Sequence, residues 1–212
     1  MIISYHDRIS STQTVLIQKL KCSEIQAPYC IVASEQSSGF GSRGNQWISK
    51  EGDLFFSFVL PLSSLPEDLK LESSSIYFSY LLKELLQSEG SQLWIKWPND
   101  FYIEDKKLGG TICSVVGKNL VCGIGVNLTL NEVIYTVLDI NIKITTLLEK
   151  YFEIVESFPK WKQVFSKFKL EFEKSKHFET HYQNSKIKLA ETELMADGSL
   201  LYENERIYSL SR

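Results

Sequence analysis

Three short stretches of this chain combine residue types and spacings that could do chemistry. The first is Lys96-Trp97-Pro98-Asn99-Asp100, followed by Lys107-Leu108-Gly109-Gly110. Pro98 ends an apolar run and turns the chain, so that Asn99 and Asp100 can cap backbone groups or meet polar ligand atoms. Lys107 precedes two glycines, which let a ligand approach the backbone closely. A lysine at such a gap can neutralise a carboxylate and a phosphate together. A hairpin turn carrying a solvated lysine would use the same letters. The second stretch is Gly123-Ile124-Gly125-Val126-Asn127. Two glycines at a spacing of two leave one face of a strand bare. That suits either a close helix–sheet contact or the floor under a planar ligand, with Asn127 at its end available to a phosphate or a metal. The third, Gly39-Phe40-Gly41-Ser42-Arg43-Gly44, matches the letters of a dinucleotide fingerprint. That fingerprint must open a helix and be followed by an acidic residue about 20 positions on. Here the glycines run into Asn45-Gln46-Trp47, then Glu51-Gly52-Asp53 and an apolar run. An ordinary surface loop fits, and so does a flexible loop whose backbone N–H groups and Arg43 close over a charged small ligand.

The elements that must position these residues follow from hydrophobic periodicity. Ser10 and Gln13 have capping-box spacing, and the pattern predicts a helix from Ser11 to about Cys22. YCIVAS (29–34) and Leu54–Leu60 read as buried strands, with a polar, Gly- and Ser-rich loop at 36–46 between them. Glu67 to Glu89 reads as a helix with Gly90 as its C-terminal stop. LWIKW (93–97) is a strand stopped by Pro98. Phe101–Ile103 turns at Glu104-Asp105-Lys106, and TICSVV and LVCGIGVNL form a hairpin around Gly117-Lys118-Asn119. Residues 131–177 read as mainly helical, with Trp161, Val164, Phe165, Phe168 and Phe172 on one face as core packing. The last thirty or so residues, with a turn at Ala196-Asp197-Gly198, read as a small β module. The expected fold class is α+β, a mixed sheet flanked by helices with a short C-terminal β appendage. The expected division is 1–178 for the main domain and 179–212 for the module.

Composition bounds the function. The chain has 212 residues, 43% hydrophobic and 23% charged, an ordinary globular balance. A net charge of -3 and a pI near 5.7 give no broad positive field, so no nucleic-acid partner is expected. The N-terminus lacks a secretory pattern, and no run approaches the length of a membrane span, so no membrane partner is expected and the chain reads as cytoplasmic. Cys22, Cys30, Cys113 and Cys122 form no C-x-x-C pair and read as free thiols. His177 and His181 are four apart and could share a helical face. No third ligand is evident, so two partly exposed histidines are the simpler reading and no protein metal site is expected.

Taken together, the stretches resemble the biotin protein ligases. Gly39–Trp47 is similar to that family's glycine-rich loop G-R-G-R-x-G-x-x-W. KWPND (96–100) with KKLGG (106–110) resembles its K-W-P-N-D…K-x-x-G, and GIGVN (123–127) resembles its G-x-G-x-N strand. Ser11-Thr12 resembles the family's S-T pair, and Gln36 matches a glutamine three residues before the loop. The resemblance implies a core like that of class II aminoacyl-tRNA synthetases, with the C-terminal module SH3-like. It implies joining of biotin to ATP as biotinyl-AMP with release of pyrophosphate, with Mg²⁺. Transfer then goes to a lysine of the biotin carboxyl carrier domain of acetyl-CoA carboxylase. Homodimer formation is left open. Carried over, Ser11, Thr12, Gln13 and Gln36 meet biotin. Gly39, Phe40, Gly41 and Ser42 fold over it, and Gly110, Gly123 and Gly125 clear space for it. Lys107 contacts the biotin carboxylate and the α-phosphate as the catalytic residue. Arg43, Asn99, Asp100 and Asn127 lie near the nucleotide.

The sequence departs from the family pattern in three ways. Gln13 stands where the family usually has Asn, and Phe40 and Ser42 stand where it usually has arginines, leaving Arg43 one position away. The C-terminal module is also short. Some members carry an N-terminal DNA-binding helix-turn-helix, for which a Ser-Thr pair at residue 11 leaves no room, so no repressor role is expected. Two alternatives stay open: a lipoate or octanoate ligase or transferase of the same fold, which should lack KWPND, and a non-catalytic module that binds biotinyl-AMP.

Overall fold

A computed structural model describes residues 1–41, 47, 50–130, 136–183 and 185–209. Strand β1 (Ile2–Ile9) leads through helix α1 (Thr12–Lys21) to β2 (Tyr29–Gln36) and β3 (Leu54–Pro61). Helix α2 (Ser74–Ser88) follows, then β4 (Trp94–Lys96), β5 (Asp100–Ile103), β6 (Lys106–Val116) and β7 (Asn119–Val126). Helices α3 (Ile144–Glu156) and α4 (Trp161–Ser175) precede the hairpin β8 (Glu179–Tyr182) and β9 (Ser185–Lys188). The short strands β10 (Glu193–Leu194), β11 (Leu200–Tyr202) and β12 (Glu205–Ile207) complete the described fold. Strands β1 to β7 form one mixed sheet in the order β1-β2-β3-β7-β6-β5-β4. The β1–β2 pair is parallel and the others are antiparallel. The expected α+β class, with a mixed sheet flanked by helices, is the observed one.

Side chains alternate across a strand, so the sheet has two faces of different character. Leu54, Phe56, Phe58 and Leu60 of β3 and Leu120, Cys122, Ile124 and Val126 of β7 join α2, α3 and α4 in the main core. Phe58 lies edge-on to Phe78 and Phe152, with ring centroids 5.1 and 5.4 Å apart. The other face meets α1, where Leu16, Ile31, Val59 and Val121 make a small second cluster. Beyond that cluster the α1 face changes composition. The cross-strand rows are Ser57–Gly123–Ile112 and Phe55–Gly125–Gly110. Small residues there leave room that no helix fills.

Four local readings are corrected. Strand β1 was not foreseen, because it is an edge strand with no fully buried position and so carries little alternation. Helix α2 begins at Ser74 rather than Glu67, after short 3₁₀ turns. The intervening Asp68 is used elsewhere: its carboxylate accepts from the backbone N–H of Trp161 and Lys162 and caps α4. The end of α2 is as expected, with Gly90 at φ 101° and the N–H groups of Gly90 and Ser91 returning to Gln87 and Leu86 in a Schellman arrangement. His177 lies in a turn and His181 on β8, so they share no helical face. Finally, the segment read as mainly helical over 131–177 contains α3 and α4 but no helix at 136–143, and 131–135 lies outside the described residues.

The C-terminal segment shares the main core through Ile187, Leu200 and Ile207 on its strands and Leu189 in the turn after β9. It also braces the Lys96–Asp100 segment. Trp97 is buried, its indole N–H donates to Gly198 O at 2.9 Å, and its backbone N–H donates to Ser175 Oγ of α4 at 3.0 Å.

Candidate active site

A cavity of about 390 Å³ opens on the α1 face, over the bare rows of β3, β7 and β6. One end is polar and neutral. The N-cap of α1 is Ser11, whose Oγ accepts from Thr14 N at 3.4 Å; the expected Ser10–Gln13 capping box is not formed. That frees Gln13 for the cavity. Its Nε2 donates to Ser114 Oγ at 3.3 Å, while Oε1 is buried with no partner among the described residues. A Cβ on Gly123 would fall 2.5 Å from Gln13 Oε1 and 3.0 Å from Ser57 Oγ. Gly123 is therefore bare because the Gln13 amide crosses it, and the Gln13 oxygen is a buried acceptor without a partner among the described residues.

Thr12 connects α1 to β2 and β3. Its N–H and hydroxyl both donate to Gln36 Oε1, at 2.6 and 3.1 Å. The single Thr12 proton being used, Ser57 donates to Thr12 Oγ1 at 2.8 Å. Gln36 Nε2 lies against Gly39, where a Cβ would sit 2.9 Å from it. Trp47 N donates to Gly39 O at 2.9 Å, joining the two ends of the glycine-rich loop. Phe40 and Gly41 line the cavity; Ser42 and Arg43 lie outside the described residues.

The other end is charged. Lys107 stands on β6 itself, one residue past its start, rather than in the turn at Glu104-Asp105. Its Nζ is 2.6 Å from Asp100 Oδ1, and both side chains are partly exposed. The pair folds over Gly110, whose Cβ would meet Asp100 Oδ1 and Asn99 O at 3.3 Å. Asn99 is largely committed to the fold: Nδ2 donates to Thr111 O, and Asn99 O accepts from Thr111 N at 3.0 Å. The indole of Trp47 covers Gly125 so closely that a Cβ placed there would be crowded at 3.3 Å, and Lys107 Nζ lies 5.8 Å from its ring centroid. Trp47 Nε1 is buried without a partner among the described residues. Asn127 closes this end, its N–H donating to Leu108 O at 2.8 Å and its Nδ2 to Thr136 O at 3.5 Å.

From Gly123 to Asn127 the strand rises about 13 Å, so the cavity is long enough for an extended ligand with a polar head at one end and an anionic group at the other. The structure gathers every described candidate around this one space except Gly39, which stands just behind it. Reading the sequence missed Ser57 and Asp53 as members, and Trp47 was quoted only as part of the loop pattern. A serine inside LFFSFVL was the available signal for Ser57; nothing local marked Asp53.

Fold and site together define an α+β domain with a cavity on a glycine-cleared sheet. The chain belongs to the biotin/lipoate A/B protein ligase family, whose model matches residues 5–131. It is 30% identical over 132 residues to the bifunctional ligase/repressor BirA of Escherichia coli, a match covering 59% of this chain and 40% of that protein. It is 30% identical over 104 residues to the biotin--[acetyl-CoA-carboxylase] ligase of Paracoccus denitrificans, covering 46% of this chain and 43% of that one. The chain thus spans about two-fifths of the length of the curated relatives it matches. Among solved structures, the biotin acetyl coenzyme A carboxylase synthetase of Helicobacter pylori with bound biotinylated ATP superposes with a TM-score of 0.93 at 39% identity, covering 97% of this chain and 98% of that chain. The biotin protein ligase of Aquifex aeolicus in complex with biotin and ATP shares the fold, with a TM-score of 0.78 at 22% identity over 99% and 95% of the two chains.

Proposed function

We propose that this chain activates biotin with ATP and transfers the biotinyl group to a lysine of a biotin carboxyl carrier domain. The observation that carries the reading is the polarity of the cavity. A neutral hydrogen-bonding end at Thr12, Gln13 and Gln36 lies a strand's length from a single lysine over two cleared glycines. The ureido ring of biotin offers N–H donors and a carbonyl, which suit the orphaned Gln13 oxygen and the Gln36 amide. Its aliphatic tail would run past Gln13 and Trp47, the side chains that cover Gly123 and Gly125, bringing the carboxylate to Lys107.

Adenylation brings a carboxylate against a polyphosphate, and two anions repel. Lys107 is positioned to screen both, with Asp100 holding its ammonium until substrate arrives. An electrostatic contact of that kind is worth on the order of 3 kcal/mol in an active site. Holding the two reactants end to end along β7 supplies the positional part of the rate. Mg²⁺ would come with ATP, neutralising phosphate charge. Asp100 and Asn127 offer the hard oxygen ligands it takes, and among the described residues no group of three or more His, Cys, Asp or Glu stands ready to cage a metal. That suits an ion held by one or two protein oxygens and the phosphates themselves. Trp47 packed over Gly125 helps exclude water from the mixed anhydride.

Incubating the chain with labelled biotin, ATP and a purified carrier domain tests the reading. Label should appear on one carrier lysine. A chain that binds biotinyl-AMP but never labels the carrier is the non-catalytic alternative.

A further inference from the structure

We infer that Asp53 is a positioning residue for the nucleotide end of the cavity, acting through the segment that carries Asn127; this rests on the function proposed above. Asp53 is 3% exposed, lies at the foot of β3 and lines the cavity, yet it has no ion-pair partner among the described residues. Its Oδ1 accepts two backbone hydrogen bonds, from Leu128 N at 2.9 Å and Thr129 N at 3.0 Å. Those are the two residues that follow Asn127. A buried carboxylate is costly unless its charge is met by donors, and N–H groups aimed at one oxygen meet it.

The contact is the centre of a wider clasp. Thr129 Oγ1 donates to Glu51 O at 3.3 Å, and Lys50 Nζ donates to Leu130 O at 2.7 Å. Gly52, at φ 94°, holds its bare side 3.0 Å from Thr129 Oγ1, so a side chain there would push the two segments apart. Residues 50–53 and 128–130 are therefore bound to each other beyond the end of the sheet. The β7 ladder stops at Val126, paired with Leu54. Without the clasp nothing in the β3–β7 ladder would set the direction of the chain after Asn127. Asn127 is tied through its backbone to Leu108 and Leu138, and its Nδ2 reaches Thr136 O only at 3.5 Å. Its side-chain oxygen has no partner among the described residues, so the aim of that oxygen depends on the path the clasp imposes.

Among the described residues, no hydrogen bond or ion pair joins Thr12 or Gln13 at the head-group end of the cavity to this clasp. Losing Asp53 should thus separate the two substrates. In Asp53→Ala the KM for ATP should rise at least tenfold in a pyrophosphate-exchange assay, while the biotin dissociation constant measured without nucleotide stays within twofold. Asp53→Asn keeps an acceptor for both N–H groups and should recover most of the lost ATP affinity. Lys50→Ala, which removes an exposed outer bond, should shift the ATP KM less than threefold. Wild type lacking biotin-dependent exchange would overturn the functional reading itself. Wild type active, with Asp53→Ala raising both constants alike or leaving the ATP KM unchanged, would overturn the role of Asp53 alone. If Asp53→Ala is too unstable to assay, an Asp53→Asn enzyme with biotin weakened as much as ATP overturns that role equally.

Discussion

The two faces of the central sheet are built from the same strands and do opposite work. On the α2–α4 face, β3 contributes Leu54, Phe56, Phe58 and Leu60 to a continuous core in which Phe58 contacts Phe78, Tyr151 and Phe152. On the α1 face the same strand contributes Phe55, Ser57 and Val59, and β7 answers with Gly125, Gly123 and Val121. One face is filled with large apolar side chains; the other is short of side-chain volume and leaves Gln13 Oε1 and Trp47 Nε1 without partners among the described residues. The lesson is that a strand's period-two pattern can encode stability on one set of alternate positions and a binding floor on the other. The cysteines follow the division: Cys30 and Cys122 sit on the core face, where burial pushes both thiols well up and makes them inert.

This contrast can be broken by substitutions on either face. The largest effect is expected from Phe58→Ala, which empties a fully buried ring site. A loss of about 3–5 kcal/mol is typical for such a change, equivalent to a fall of roughly 6–20 °C in unfolding midpoint for a chain of this size. Biotin affinity of the folded fraction should be unchanged, and a selective loss of affinity would show that the faces are not independent. Lys107→Ala should leave the midpoint in place, since its partner Asp100 is partly exposed. Adenylation should fall on the order of a hundredfold or more, as when one electrostatic stabiliser is removed. Gly125→Val should push the Trp47 indole off its strand and weaken biotin on the order of tenfold, about 1.4 kcal/mol. Calorimetric titration with a thermal melt on the same sample separates that from unfolding. The smallest effect belongs to Ser57→Ala, which removes the donor to Thr12. A neutral hydrogen bond is worth about 1 kcal/mol, so biotin should weaken by roughly fivefold with kcat unaltered. An effect on kcat alone would place Ser57 in a different role.

Much of this arrangement was legible in the sequence, and the exceptions have physical causes. KWPND, the lysine before two glycines and the G-x-G-x-N strand were visible because Pro and Gly punctuate the chain and because their order matched one family. The hairpin β6–β7 was visible from its apolar runs around Gly117. Strand β1 was not, because an edge strand buries too little to alternate. The start of α2 was misplaced because Asp68 is spent on capping α4, a tertiary use that local propensity does not register. Gln13 was assigned to biotin by resemblance, but its crossing of Gly123 and its bond to Ser114 join residues 101 positions apart. Asp53 escaped altogether, since an acidic residue after Glu51-Gly52 reads as turn chemistry until the segment following Asn127 is folded onto it.

The central claim is that the cleared face binds biotin next to a lysine able to bring its carboxylate to ATP. Exchange of labelled pyrophosphate into ATP by the purified chain tests it most directly, because it reports adenylate formation without any carrier. The account predicts exchange that depends on added biotin, is not supported by lipoate or octanoate, and is lost in a folded Lys107→Ala chain. Exchange driven by lipoate or octanoate but not biotin, or undiminished in Lys107→Ala, would contradict it.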